Sequence, residues 1–123
     1  MIPSPDALRP VVTPAQLLGM QASVREVHVE EDVGKYILRL ADATRRHPDL
    51  ALGASPRASL ALFRAAQARA FLDGKDFAGP AEVQAVFGPV LTHRVMLTTK
   101  ARYGGKSASD IASAVLETVE VPT

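Results

Sequence analysis

The feature that most constrains the fold of this chain is a run of mostly apolar residues with helical spacing. The spacing is i, i+3, i+4, i+7, i+8 and i+11, and the residues are Val33, Tyr36, Ile37, Leu40, Ala41 and Thr44. Acidic residues 30–32 precede this run and basic residues 45–47 follow it, an order that suits the helix dipole at both ends. Pro48 marks the end of the helix. Strand-like alternation is scarce elsewhere in the chain, so helices are expected to dominate the fold.

Three more helix starts carry recognisable capping residues. Thr13-Pro14, with Gln16 in the capping-box position, predicts a helix from residue 14 to about residue 24. Ser55-Pro56 predicts a helix to about residue 73 that is apolar almost all round and is therefore expected to be the most buried element. A box at residues 107–110 opens a final helix, with Asp in place of Glu.

The remaining helical segment follows Gly79-Pro80 and is expected to break at Gly88-Pro89 and to resume over residues 90–95. A basic, glycine-containing loop is predicted over residues 100–106. The fold class is therefore all-α, a small bundle of about five or six helices, with at most one very short strand at residues 27–29. Prolines among the first ten residues predict an extended lead-in over residues 1–12, before a helical domain over residues 13–121.

Composition excludes several classes of function. The chain has 123 residues and a formal net charge of +1, so no overall field attracts nucleic acid or anionic lipid. It contains no cysteine, which excludes disulfides, thiolate metal sites and a cysteine nucleophile. No apolar run reaches the roughly 18 residues that a membrane span needs. Residues 1–6 lack the features of a signal peptide, and a cytoplasmic location is expected.

The segment Gly104-Gly105-Lys106-Ser107 invites comparison with a phosphate-binding P-loop. That motif requires a glycine five positions before the second glycine, and this position holds Lys100. No buried strand precedes the segment. A flexible loop that ends at a helix N-cap is the better interpretation, and the chain alone is not expected to be an ATPase.

The residues also lack the spacing of a metal site or of a nucleophile with its base. His28, His47 and His93 are isolated from one another, and neither H-x-x-x-H nor H-E-x-x-H occurs. No G-x-S-x-G elbow is present. We predict no metal site and no catalytic residue in the isolated chain.

The best candidate site for an anion is the helix start at Ser55, Pro56 and Arg57. Free N–H groups and the positive end of the helix dipole favour an anion there. An arginine in the first turn adds a planar, permanently charged group suited to phosphate. The alternative is that Arg45, Arg46 and Arg57, which bracket one short loop, are merely solvated basic residues.

The residues around this helix start resemble a known family. The segment Gly53–Ala58, sequence GASPRA, resembles the G-x-S-P-R-A sensor 2 motif of MoxR-family AAA+ ATPases. Five further segments resemble the family's helical lid in the same order: residues 9–14 (RPVVTP), 27–30 (VHVE), 43–45 (ATR), 47–52 (HPDLAL) and 90–95 (VLTHRV). The resemblance extends from about Leu8 to Pro122.

This resemblance implies a function for a longer protein. In the family a large α/β subdomain carries the P-loop and Walker B acid, the helical lid follows it, and ATP with Mg lies between them. Arg57 would be the sensor 2 residue that reaches the γ-phosphate, supported by Ser55 and Pro56. The parent would be a homo-oligomeric ring, expected to be a hexamer, that remodels client proteins as a chaperone-like motor. Partners with a von Willebrand factor A domain are implied too, but no bound cofactor is expected on this chain.

Two other functions remain open at this point. The chain could be a stand-alone helical adaptor that has kept the shape of the lid without a role in nucleotide binding. It could also bind nucleic acid through Arg45, Arg46, Arg57 and Arg64, although the net charge of +1 argues against this. An upstream P-loop in the same reading frame distinguishes the lid from the adaptor.

Overall fold

A computed structural model describes residues 8–123 as a bundle of six helices whose linkers carry four very short strands. Residues 1–7 of the predicted lead-in lie outside the described part, and residues 8–12 form neither helix nor strand. The helices are α1 Pro14–Arg25, α2 Glu31–Arg45, α3 Pro56–Leu72, α4 Pro80–Thr92, α5 Thr99–Tyr103 and α6 Ala108–Thr118. The strands are β1 His28–Val29, β2 Leu50–Leu52, β3 Phe77–Ala78 and β4 Met96–Leu97.

The helix starts follow the capping residues that the sequence contains. Thr13 Oγ1 accepts a hydrogen bond from the Gln16 N–H at 3.1 Å, and Gln16 Oε1 accepts one from the Thr13 N–H at 2.8 Å. Ser107 and Asp110 form the equivalent pair at 3.1 and 3.0 Å. Each pair satisfies backbone donors that a helix leaves unpaired at its N-terminus. The first and last of the predicted helices are therefore confirmed.

The all-α fold class is confirmed, but the number of strands is not. At most one strand was expected, at residues 27–29, and β1 lies there. It pairs in parallel with β3, while β2 pairs antiparallel with β4, so that four strands form two small clips. Each clip joins two linkers that are distant in sequence. Pairings of this kind depend on how the helices pack, which local periodicity does not reveal.

The expected break at Gly88-Pro89 is wrong, because α4 continues through both residues to Thr92. Proline disfavours a helical conformation of the preceding residue partly through contact with that residue's Cβ, and Gly88 has none. Phe87 and Leu91 flank the proline and are each 2% exposed. Their burial stabilises the helix across the hydrogen bond that Pro89 cannot donate.

The prediction of a loop over residues 100–106 also differs from the structure, because helix α5 occupies part of it. Thr98 caps it, since its Oγ1 accepts a hydrogen bond from the Ala101 N–H at 3.1 Å. Gly105, with a positive φ of 81°, follows the end of the helix in a conformation that favours glycine. The loop is thus confined to the few residues between α5 and α6.

The core lies between α2, α3, α4 and α6. The largest fully buried side chains, which come from α2, α4 and α6, are Tyr36, Leu40, Thr44, Val83, Phe87 and Val115. Helix α3 packs against α1, α2 and α4, as a central helix should. It is not buried all round, however, because Leu60 is 57% exposed and Leu72 is 79% exposed. Helix α3 is therefore central, as expected, but it is not buried around its whole circumference. Helix α2 buries larger side chains than α3 does.

Candidate functional site

The start of α3 holds the three residues that the sequence singled out. Ser55 is the N-cap, and its Oγ accepts a hydrogen bond from the Ala58 N–H at 3.2 Å. Pro56 is the first helical residue, where its fixed φ suits the helix and its missing N–H costs nothing. Arg57 follows in the first turn and is exposed. The first turn therefore presents one guanidinium beside the positive end of a helix of 17 residues.

Arg57 is chemically uncommitted in the part of the chain that the structure describes. No hydrogen bond or salt bridge to another residue of 8–123 engages its guanidinium. The adjacent Ala58 is buried and anchors the inner side of the same turn in the core. The turn is thus fixed on its inner side and offers an unpaired cation on its outer side.

The linker before α3 is held by the C-terminal turn of α2. The hydroxyl of Thr44, which is fully buried, accepts a hydrogen bond from the Ala54 N–H at 2.9 Å and donates one to the Ala41 carbonyl at 2.6 Å. The Arg45 Nε donates to the Ala54 carbonyl at 2.7 Å. Both polar main-chain groups of Ala54 are therefore bound by two consecutive residues of α2. We call this arrangement the Ala54 clamp.

Gly53 lies so close to α2 that only glycine fits. A Cβ at this position would lie 2.6 Å from both the Cα and the backbone nitrogen of Arg45, and 2.8 Å from the carbonyl carbon of Thr44. These are backbone atoms, which cannot rotate away as the end of a side chain could. The first residue of the GASPRA segment is thus explained by close packing of two backbones.

The other basic residues near the site have different settings. Arg46 pairs with Asp42 one turn earlier in α2, with 3.1 Å between Nη2 and Oδ2. Arg64 lies two turns into α3, donates to the Gln67 side chain at 3.2 Å and lies 5.9 Å from the centre of the Phe63 ring. Of the four arginines considered for nucleic-acid binding, three bond to separate neighbours in the described residues. The fourth is Arg57, at the start of α3.

The glycine-lysine segment that resembled a P-loop is part of the scaffold. The Lys106 Nζ lies 2.6 Å from the Asp49 Oδ2, and this hydrogen bond lowers the pKa of the Asp49 carboxyl below its ordinary value. The Asp49 N–H also donates to the His47 Nδ1 at 3.1 Å. Lys106 thus ties the α5–α6 loop to the linker that leads into β2.

Among residues 8–123, no three histidine, cysteine or carboxylate side chains gather in a way that could hold a metal ion. His28 bonds to Glu30 instead, at 3.1 Å. None of the helices in the described residues combines the length and hydropathy that crossing a membrane requires.

Sequence reasoning missed the roles of Thr44, Arg45 and Gly53. Segments 43–45 and 53–58 were both recognised by resemblance, but nothing in their spacing showed that they touch. A signal was nevertheless present, since a threonine at a position of the apolar run of α2 needs a partner for its hydroxyl once it is buried. The partner is an N–H ten residues away, which only the folded chain identifies.

Comparisons with known proteins identify the family of this chain. The model of the AAA lid domain family matches residues 42–115, which include the C-terminal turn of α2, the Ala54 clamp and the start of α3. The chain belongs to the AAA lid domain family.

Its curated relatives place it, more narrowly, with lids of the MoxR type. It is 32% identical to the chaperone MoxR1 of Mycobacterium tuberculosis over 128 residues, which cover 97% of this chain and 34% of that protein. It is 35% identical to the uncharacterised protein YeaC of Bacillus subtilis, covering 95% of this chain and 37% of that protein. The chain thus spans about a third of the length of these relatives. The resemblance to MoxR-family lids is confirmed.

A solved structure has the same fold. A crystal structure of a protein from Cytophaga hutchinsonii, assigned as an ATPase, superposes with a TM-score of 0.82 at 29% identity. The match covers 89% of this chain and 36% of that one. The part that matches this chain is therefore about a third of that longer chain.

Proposed function

We propose that this chain is the lid that closes over ATP in a MoxR-type AAA+ ATPase, and that Arg57 is its sensor 2 residue. The observation that carries the proposal is the uncommitted guanidinium of Arg57 in the first turn of α3. Its position at the motif segment 53–58, within the part of the chain that matches the lid family, supports the proposal.

The chemistry of this helix start suits the terminal phosphate of a nucleotide. The guanidinium can donate two parallel hydrogen bonds to phosphate oxygens and keeps its charge at every physiological pH. The helix dipole adds positive potential at the same end. Phosphoryl transfer depends mainly on positioned charges that stabilise the transferring group, and Arg57 would be one of these charges.

The lid alone is too weak a binding site to act without its partner subdomain. Each charge-assisted hydrogen bond contributes about 1.5–3 kcal/mol, so even the two that Arg57 can donate give no more than about millimolar affinity, which needs about 4 kcal/mol. The other contacts to ATP and Mg, and the Walker residues, would come from the large subdomain of the same protein. The isolated chain is therefore expected not to hydrolyse ATP. Contact of Arg57 with the γ-phosphate would favour the closed lid, and hydrolysis would remove that contact.

At the level of the cell, the proposal is a cytoplasmic motor that remodels client proteins. It is supported by the name of one relative, chaperone MoxR1. The full-length protein would form a homo-oligomeric ring, expected to be a hexamer, and a protein with a von Willebrand factor A domain is the proposed type of partner. These assignments follow the family resemblance rather than any feature of residues 8–123.

The experiment compares Arg57→Ala with Arg64→Ala in the full-length ATPase. Arg64 is the matched control because it lies in the same helix, about 10 Å further along the axis at 1.5 Å per residue. We expect Arg57→Ala to lower turnover by about 100-fold, the lower end of what removal of one positioned charge costs. The melting temperature should stay within a few degrees, because alanine is the better helix former.

Equal and unimpaired turnover of the two variants would falsify the sensor 2 assignment. A large loss of melting temperature confined to Arg57→Ala would instead make Arg57 a structural residue of the linker.

The adaptor alternative has one observation in its favour. An open groove of about 590 Å³ lies between α2 and α3, with Ile37, Leu38, Leu60 and Phe63 among its lining residues. Exposed apolar surface of this kind is found at protein interfaces. A reading frame without G-x-x-x-x-G-K-[ST] upstream of this chain would favour the adaptor over the lid.

A further inference from the structure

The conformation of the chain between Ala54 and Arg57 leaves little freedom. The N-cap bond of Ser55 holds that residue extended, with φ −78° and ψ 169°. Pro56 has its φ fixed by its ring. The direction in which Arg57 leaves the helix is therefore set by the position of Ala54, three residues earlier.

The two main-chain hydrogen bonds of Ala54 are both made with residues of α2. The Ala54 clamp occupies its N–H through Thr44 and its carbonyl through Arg45, at 2.9 and 2.7 Å. The residue is only 4% exposed, so its polar main-chain groups depend on protein partners. Close packing of Gly53 on the backbone of Arg45 adds a third restraint.

We infer that Arg45 and Thr44 are positioning residues for Arg57, which they orient through the main chain of Ala54. This inference rests on the proposed function, because it assigns them a share in the contact that Arg57 makes with the γ-phosphate. Arg45 is an exposed side chain whose Nε is bonded to the linker. Its role is therefore specific to that bond rather than to packing of the core.

The chain offers a matched control in the next residue. Arg46 is also exposed and also lies at the C-terminal end of α2, but it pairs with Asp42 and not with the linker before α3. Replacement of either arginine by methionine removes one charge and keeps most of the aliphatic stem. Any difference between the two variants then reflects the bond to Ala54.

The test is a double-mutant cycle in the full-length ATPase, with turnover measured at saturating ATP. Four proteins are compared: wild type, Arg45→Met, Arg57→Ala and the double variant. We expect Arg45→Met to lower turnover about tenfold when Arg57 is present, since small misplacement of a reacting contact costs up to about 100-fold. In the Arg57→Ala background the same change should have no further effect, because nothing remains to be positioned. Arg46→Met should stay within about twofold of its parent in both backgrounds.

Two results would overturn the inference while leaving the sensor 2 assignment intact. Losses that multiply in the double variant would mean that Arg45 acts on the nucleotide or on stability independently of Arg57. Unchanged turnover of Arg45→Met would mean that the clamp is not needed for positioning. If Arg57→Ala itself has full turnover, the proposed function fails and this inference fails with it.

A second variant tests the clamp without any ATPase assay. Thr44→Val in this chain keeps the shape of the side chain but removes the acceptor for the Ala54 N–H. Hydrogen exchange at the Ala54 amide should accelerate at least tenfold relative to the amides of α4, as expected of a locally opened segment. Uniform acceleration across the bundle would show only global destabilisation and would count against a local clamp.

Discussion

The start of α3 and the helix α1 are attached to the bundle in different ways. The start of α3 is held by two side-chain bonds from α2 to one residue, by close backbone packing at Gly53, and by the buried Ala58. Helix α1 buries none of its residues, and its C-terminal end is bonded to the bundle through the side chain of Gln67. Restraint is thus concentrated where the proposed phosphate contact lies.

This difference has a consequence for motion. A segment with few buried apolar contacts opens at low free energy, whereas one fixed in the core opens only with the whole domain. We expect α1 to be the most easily opened helix of the lid and the start of α3 to be among the last to open. The three predictions below test the two attachments, from the largest expected effect to the smallest.

The first prediction concerns Gly53→Ala, which introduces a Cβ about 2.6 Å from backbone atoms of α2. One of the two segments must then move, and we expect a loss of about 2–3 kcal/mol in the free energy of unfolding, as for an overpacked core. Urea unfolding of the isolated chain measures it.

Gly34→Ala is the matched control for this change. Nothing lies within 4 Å of a Cβ at Gly34, which is inside α2, so alanine should stabilise the chain by about 0.5–1 kcal/mol. The two glycine replacements should therefore have opposite signs. A neutral Gly53→Ala would show that the joint between α2 and α3 is not tightly packed.

The second prediction concerns Gln67→Met, which removes the attachment of α1. Gln67 is 2% exposed, and its side-chain amide donates to the Val27 carbonyl at 2.9 Å and to the Arg25 carbonyl at 3.4 Å. Loss of these bonds to buried or partly buried carbonyls should cost about 1–2 kcal/mol. Hydrogen exchange should accelerate in α1 more than in α3.

Gln21→Met serves as its control, because Gln21 is an exposed residue of α1 itself. It should change stability by less than about 0.5 kcal/mol. Unchanged protection of α1 in Gln67→Met would mean that packing against α3 holds this helix without the amide.

The same contrast explains how much of the structure could be predicted from the sequence. The starts of α1 and α6 were predicted from a capping residue and its partner three residues later, and the start of α3 was predicted from Ser55-Pro56. The position of Arg57 in the first turn followed directly from Ser55-Pro56. Local spacing is sufficient for features of this kind.

Features that join distant segments could not be predicted in this way. The Ala54 clamp links residues nine and ten positions apart across a turn, and the strand clip of β2 and β4 links Leu50 to Leu97. The continuity of α4 through Pro89 depends on the burial of Phe87 and Leu91 on either side of it. In each case the deciding contact is tertiary, and a single sequence does not show which distant residues are in contact.

The last prediction concerns a weaker interaction in the linker between α2 and α3. It is the ion pair of Lys106 with Asp49, which lies just before β2. The hydrogen bond from Lys106 lowers the pKa of Asp49 in the folded chain, so the folded state favours the charged carboxylate more than the unfolded state does. The pair therefore stabilises the fold at pH values above the ordinary Asp pKa of about 3.9. This contribution is lost as the pH falls below that value through the lowered pKa.

We therefore expect Lys106→Met to melt slightly below wild type at pH 7, with a difference that shrinks as the pH falls below about 3.9. The effect should be the smallest of the three, because the Lys106 side chain is 54% exposed and water screens the pair. Thermal melts of both proteins from pH 7 to pH 2 measure the difference. Lys100→Met is the control, since Lys100 has only a minor influence on Asp49 and its difference from wild type should be nearly constant with pH. A Lys106→Met difference that persists unchanged at pH 2 would mean that the lysine acts through packing of its aliphatic stem and not through the charge of Asp49.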